Sequence, residues 1–172
     1  MPEHVHFGPL ISPEVLMSSK QPIRLLDTRP GTKAYGTGHL DEALHADLNR
    51  WLSTASAPGF DPSRGGRHPL PALHVWAAQL GSWGIGPGTR VVAYDGAAGG
   101  KGACRLWWML RAFGHSDVAV LDGGLAAAHT AGLGLTTAEP SVVRAVPPYP
   151  CDRWQRSTVD ICSVERVLND PQ

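Results

Sequence analysis

The stretch VVAYDGAAGGKGACRLWWMLRAFGH, Val91 to His115, runs from apolar residues of strand length, through a glycine-rich turn, into an amphipathic helical pattern. Glycines at 96, 99, 100 and 102 permit positive φ and close backbone approach. A helix beginning near Ala103 aims free N–H groups back at the turn, so the junction can cradle an anion. The same glycines also suffice for a plain, tight strand-to-helix connection. Asp95 stands at the mouth of this turn and Lys101 lies inside it. Cys104 falls in the helix, beside Lys101 and Arg105, and neighbouring cations at a helix N-terminus acidify a thiol. Core filling is the competing role for a small cysteine in an apolar helix.

Several chemistries are excluded by spacing. A phosphate-binding P-loop needs a hydroxyl after its lysine and an earlier glycine, whereas Gly102 follows Lys101 and Asp95 occupies the earlier position. The dinucleotide pattern GxGxxG is missing from this junction, so no nucleotide cofactor is expected. Cys104, Cys151 and Cys162 are an odd set without CxxC spacing, and the histidines show neither HxxxH nor HExxH. Neither a disulfide framework nor a metal site is expected.

The elements around the turn read as alternating strand and helix. PIRLLDTRP predicts a buried strand over Ile23 to Asp27, delivering Asp27 and Arg29 to its C-terminal edge, where they can hold each other. A short helix precedes it, with Ser12 as N-cap and Pro13 at the first helical position. Ala55 to Pro71 is rich in Pro, Gly, Ser and Arg and reads as one long surface loop carrying Arg67 and His68. Helical spacing returns over Ala72 to Trp83, and strands follow at Val91 to Tyr94 and Val118 to Leu121. Leu106, Trp107, Trp108, Met109 and Leu110 cover more than one face of their helix, which must therefore be packed on two sides. Crossovers of this length favour an α/β layer architecture, a parallel sheet with helices on both faces and ligands at the carboxyl ends of the strands.

With 172 residues and 42% hydrophobic content, one domain plus a tail is expected. Fifteen basic residues balance fifteen acidic ones, which argues against nucleic acid or anionic lipid as partners. No basic leader with an apolar run and no long apolar window occurs, so a cytoplasmic protein is expected. The proline-rich residues after Leu135 read as a linker, followed by TVDICSVERVLNDPQ, in which Val164, Val167 and Leu168 can line one short helix.

In VVAYD, its glycines and RLWWMLRAFGHSDVAVLDGGL, the chain resembles the N-terminal domain of tandem rhodanese-type sulfurtransferases, the thiosulfate and 3-mercaptopyruvate enzymes. LLDTRP resembles that family's first core strand, GTGHLDEALHADL its Gly-His-Ile-Pro-Gly-Ala turn and following strand, and GGRHPLP the loop before its middle helix. The resemblance implies a rhodanese-like three-layer fold over 8–135, about five parallel strands, a linker over 136–157, and the truncated start of a second rhodanese domain over 158–172. It also implies transfer of sulfane sulfur to a thiophilic acceptor, by a cysteine at the first position of the glycine-rich loop in the second domain.

At that first position this chain carries Asp95, followed by the equivalents Gly96, Gly99, Gly100, Lys101 and Gly102. A carboxylate forms no persulfide, but its oxygens can accept the hydrogen bonds meant for a bound sulfur, so the cradle is expected to be filled from within. The expected function is the non-catalytic half of a sulfurtransferase, partnered by a second rhodanese domain or a separate polypeptide. The alternative is a catalytically silent binding module. Small sulfur-donor anions are expected to bind weakly at most. Cys104 is the one low-ranked catalytic candidate, Arg67 and His68 are interface candidates, and the Cys-x5-Arg loop of related phosphatases and arsenate reductases also requires the missing cysteine. Departures from the family pattern are Asp41 and Glu42 in place of Pro-Gly, Ala128 in place of a tryptophan, and Gly134 in place of a proline.

Overall fold

A computed structural model describes residues 8–63 and 66–170. The chain builds β1 (Leu10–Ile11), α1 (Pro13–Ser18), β2 (Ile23–Asp27), α2 (Thr32–Gly36), β3 (His39–Leu40), β4 (Leu44–His45) and α3 (Leu73–Ser82). It continues with β5 (Arg90–Tyr94), α4 (Gly102–Ala112), β6 (Val118–Leu121), α5 (Gly124–Thr130), β7 (Leu135–Thr136) and α6 (Ile161–Leu168). Five strands form one sheet in the order β1-β6-β5-β2-β4, and each neighbouring pair is parallel. The expected strands at Ile23–Asp27 and Val118–Leu121 are observed with those limits, and β5 begins one residue earlier than expected. Ser12 caps α1, its Oγ accepting from the Val15 N–H at 3.4 Å.

A parallel sheet must be covered on both faces, and β5 shows how its sequence meets that demand. Val91 and Ala93 enter one apolar cluster with Trp76, Leu80, Leu106, Leu110 and Phe113, while Val92 and Tyr94 enter the opposite one with Ile11, Leu16, Ala119 and Leu121. Ala128 is fully buried in the second cluster, so its neighbours close over the place where related sequences carry a tryptophan. No helix among the described residues is long and apolar enough to cross a membrane.

Two features were not anticipated. The two-residue strand β1 pairs with β6, and β3 pairs antiparallel with β7 to form a separate small sheet. Such short strands leave no periodicity to read. The proline-rich segment after β7, expected as a linker, lies on the body as a strap. The N–H groups of Val146, Tyr149 and Gln155 donate to the carbonyls of Gly81, Ala77 and Ala112 at 2.9, 3.0 and 2.6 Å. Tyr149 is 6% exposed, and Trp154 stacks on Trp108 with ring centroids 6.1 Å apart. The second apolar side of α4 is thus covered by this strap.

Glu42 occupies a left-handed conformation, φ 58°, where the family pattern has glycine. Its carboxylate accepts from the Ser141 N–H at 3.1 Å and the Ser141 hydroxyl at 2.9 Å, which offsets the strain with contacts to the strap. His39 reaches the same segment, its Nε2 lying 3.1 Å from the Ala138 carbonyl oxygen.

Gly81 lets the strap approach. A Cβ there would lie 2.7 Å from the Val146 carbonyl oxygen and 2.8 Å from that of Pro147. Gly81→Ala is expected to lower stability by about 1–3 kcal/mol, read as a lower urea midpoint. An unchanged midpoint would mean that the strap contributes nothing to folding.

His115 is 1% exposed, with Nδ1 3.1 Å from the Tyr149 hydroxyl, and burial lowers the pKa of its imidazole. Since the unfolded chain then takes up a proton more readily, this contribution to stability is complete above the ordinary histidine value of about 6.5. It is lost as the pH falls through the lower folded value. Thermal midpoints recorded from pH 7.5 to 5 should therefore decrease towards acid, and His115→Gln should flatten the slope.

Candidate functional site

Strand β5 ends by placing Asp95 at the carboxyl edge of the sheet, and the next residues turn sharply into α4. The side chain is 3% exposed and its two oxygens are shared among four backbone N–H groups. Oδ1 accepts from Ala97 at 2.7 Å and Gly99 at 2.9 Å, and Oδ2 accepts from Lys101 at 3.1 Å and Ala103 at 3.2 Å. Two of these donors belong to the loop and two to the start of α4, so one carboxylate serves as loop anchor and helix cap at once. Its main-chain carbonyl also accepts from the Leu125 N–H at 3.0 Å, which ties the loop to α5.

The loop sequence suits this inward folding. Gly99 adopts φ +87°, and a Cβ there would meet the Val120 side chain at 2.5 Å, so only glycine fits. Ala98 holds φ 54° without that freedom. The Gly100 N–H donates to the Ala97 carbonyl at 3.0 Å, and Gly96, Gly100 and Lys101 are exposed. Outside the loop lies a cleft of about 320 Å³, lined among others by Thr28, Pro30, Leu48, Ala97, Lys101 and Gly102.

The neighbouring strand ends are built on the same plan. Asp27 is fully buried and meets Arg29 in a bidentate pair with a shortest contact of 2.6 Å, while Arg29 Nη2 also donates to the Gly38 carbonyl at 2.7 Å. Burial, aided by Asp27, raises the pKa of the Tyr94 phenol, whose oxygen accepts from the Leu40 N–H at 3.0 Å. After β4, Asp47 accepts from the N–H groups of Gly31, Asn49 and Arg50. Each of these three aspartates turns its charge towards partners inside the protein.

Cys104 is exposed and is not among the residues lining the cleft, so the core-filling role does not hold. Its own N–H is engaged, donating to the Gly99 carbonyl at 3.2 Å. Arg105, considered above as a cation that could acidify Cys104, instead turns to the long loop: Nε donates to the Leu52 carbonyl at 2.7 Å and Nη2 to that of His68 at 2.8 Å. This anchoring joins both ends of the long loop to α4. Sequence reading missed it, because carbonyl oxygens are acceptors that residue types do not reveal. Arg67 is exposed and His68 half-buried, and burial, followed by the Arg67 and Arg105 charges, lowers the pKa of the His68 imidazole. Cys151 is half-buried on the strap with its thiol 2.9 Å from the Arg153 carbonyl oxygen, and Cys162 is exposed. No group of three or more His, Cys, Asp or Glu side chains able to hold a metal occurs among the described residues.

Residues 14–131 match the family model for the rhodanese-like domain. A Pseudomonas aeruginosa protein named as a probable 3-mercaptopyruvate sulfurtransferase is 42% identical over 119 residues, covering 69% of this chain and 40% of the relative. The thiosulfate/3-mercaptopyruvate sulfurtransferase 2 of Arabidopsis thaliana is 39% identical over 99 residues, 58% of this chain and 26% of that protein. Among solved structures, the 3-mercaptopyruvate sulfurtransferase of Leishmania major superposes with a TM-score of 0.74 at 29% identity, covering 85% of this chain and 41% of the other. The matched part of this chain thus covers less than half the length of each of these relatives.

Removing the carboxylate leaves four N–H groups without their acceptor. Asp95→Ala should cost about 2–3 kcal/mol in urea unfolding, and Asp95→Asn, which keeps one oxygen, about half as much. Equal stability of all three proteins would show that the loop holds itself closed without the carboxylate.

Proposed function

Because the chain belongs to the rhodanese-like domain family, we propose that it serves sulfane-sulfur transfer as the non-catalytic half, with the reactive thiol supplied by a second rhodanese-like unit. The donors are thiosulfate or 3-mercaptopyruvate, the substrates for which its relatives are named. On the thiol-bearing unit, a cysteine thiolate attacks the sulfane sulfur of thiosulfate, releasing sulfite, or the thiol sulfur of 3-mercaptopyruvate, releasing a pyruvate enolate that takes up a proton to become pyruvate, and a persulfide forms within a ring of backbone amides. A thiophilic acceptor such as cyanide then removes that sulfur and regenerates the thiolate. Loop amides and a helix N-terminus favour both anionic sulfur species.

The observation that supports a supporting role here is the occupancy of the loop by Asp95. Its carboxylate takes the N–H groups of Ala97, Gly99, Lys101 and Ala103, and a carboxylate oxygen cannot accept a sulfur atom and pass it on. What this chain supplies is a rigid carboxyl edge: Asp27 with Arg29, Asp47 with its three amides, and Arg105 holding the long loop. We place this work in the cytoplasm, where cysteines such as Cys104, Cys151 and Cys162 stay free.

Cyanolysis of the purified chain with thiosulfate and with 3-mercaptopyruvate should give no thiocyanate above a Cys104→Ser control. Turnover by the unaltered protein that disappears in Cys104→Ser would overturn the reading. Asp95→Cys, which restores sulfur at the mouth of the amide ring, should accumulate cyanide-labile persulfide after incubation with thiosulfate.

A further inference from the structure

At the amino edge of the sheet, opposite the Asp95 loop, the starts of β2, β5 and β6 surround a cavity of about 470 Å³ lined by residues 21–24, 88–90 and 117 and by Glu42. Four charged side chains face it: Arg24, Arg90, Glu42 and Asp117. Three of them have partners. Arg90 Nε donates to Asp117 Oδ2 at 3.1 Å, and the Glu42 carboxylate is held by the N–H and hydroxyl of Ser141. For Arg24 there is no hydrogen bond or ion pair among the described residues, and its Nε is shut off from solvent as well.

The fold explains how the guanidinium arrives there. Side chains alternate along β2, and Ile23 and Leu25 pack in the cluster that holds Val92 and Tyr94, so Arg24 stands on the other face of the sheet. Gly84 makes room for it: a Cβ on that residue would lie 3.3 Å from Arg24 Nη2 and 2.9 Å from the Val143 side chain of the strap. An arginine at a sheet edge can lay its stem on the body and leave its head in water. This one has brought Nε under cover without an acceptor, a cost that an anion in the cavity would remove.

The lining also selects the anion. Glu42 and Asp117 share the cavity, so a doubly charged sulfate or phosphate would meet like charges, whereas a single negative charge is matched by the one free guanidinium. A planar carboxylate fits the guanidinium fork with two parallel hydrogen bonds. Gly88 leaves room for a short organic tail, since a Cβ there would meet nothing within 4 Å.

We propose that this amino-edge cavity is a binding site for a small organic monocarboxylate, held through the guanidinium of Arg24. The cavity shares no lining residue with the cleft outside the Asp95 loop, so sulfur transfer and this site can each stand or fall without the other.

Propionate is the probe, with propionamide as its uncharged counterpart and sulfate as a dianion at matched ionic strength. In two-dimensional NMR of the unaltered protein, propionate should shift the amide resonances of Arg24, Thr89 and Arg90 saturably, with a dissociation constant in the millimolar range, and leave those of Ala97 and Gly99 in place. Propionamide and sulfate should produce no saturable shift. At ten times the dissociation constant, propionate should raise the thermal midpoint by about 3–6 °C. Arg24→Met keeps an apolar stem and removes the orphaned donor. It should abolish both responses while its ligand-free midpoint stays at or above that of the unaltered protein, because no hydrogen bond is lost. Arg24→Lys, which keeps the charge without the fork, should bind propionate several-fold more weakly. Propionate shifts that are absent, that centre on Ala97 and Gly99, or that persist in Arg24→Met would each overturn the proposal. So would sulfate or propionamide binding as well as propionate, undiminished binding by Arg24→Lys, or a ligand-free Arg24→Met protein that melts below the unaltered one, which would reveal a partner for the guanidinium within the chain.

Discussion

The carboxyl edge of the sheet is organised around the charge of Asp95. A loop of backbone N–H groups ahead of a helix creates a region of positive potential that needs an occupant. Here the occupant is covalently part of the chain, with two N–H groups on each oxygen. This one interaction closes the loop, caps α4 and, through the Asp95 carbonyl and the Leu125 N–H, links the loop to α5. A ligand entering the loop would have to displace a side chain that never leaves the vicinity, in competition with the four hydrogen bonds that hold it.

The neighbouring acids follow suit. Asp27 is neutralised by Arg29 and Asp47 by three N–H groups, and the cleft beside these strand ends is lined by Thr28, Arg29, Pro30, Leu48 and Lys101 together with the Asp95 loop. The result is a rigid edge bounded by a loop that Arg105 pins to α4. At the opposite end of the chain the order is reversed: the strap is fixed by Tyr149 and Trp154, and beyond it α6 holds a formed helix with its apolar face turned to solvent.

Much of the fold was legible in the residues. Apolar runs at Val91–Tyr94 and Val118–Leu121 and the glycine punctuation around them predict a parallel α/β layer, because strands buried on both faces read as near-continuous apolar runs. The Asp95 cap was legible too, since an acid followed by glycines and a helical pattern places an acceptor where donors must converge. The two-residue strands β1, β3 and β7 were not, because their pairing depends on what lies beside them in space. Cys104 was misplaced as core filling for the same kind of reason: a helix with apolar residues on several sides does not state which of its small residues escapes cover.

The sequence alone therefore determined the fold class, the family resemblance and the absence of a thiol at the head of the loop, all of which follow from residue type and local order. Only the tertiary structure decided that the proline-rich segment is a strap, that Arg105 serves the long loop, and that Glu42 accepts a left-handed backbone in exchange for Ser141. These depend on carbonyl oxygens and on surfaces brought together from distant parts of the chain. Every residue carries a carbonyl, so its use as a partner leaves no mark on the sequence until folding selects it.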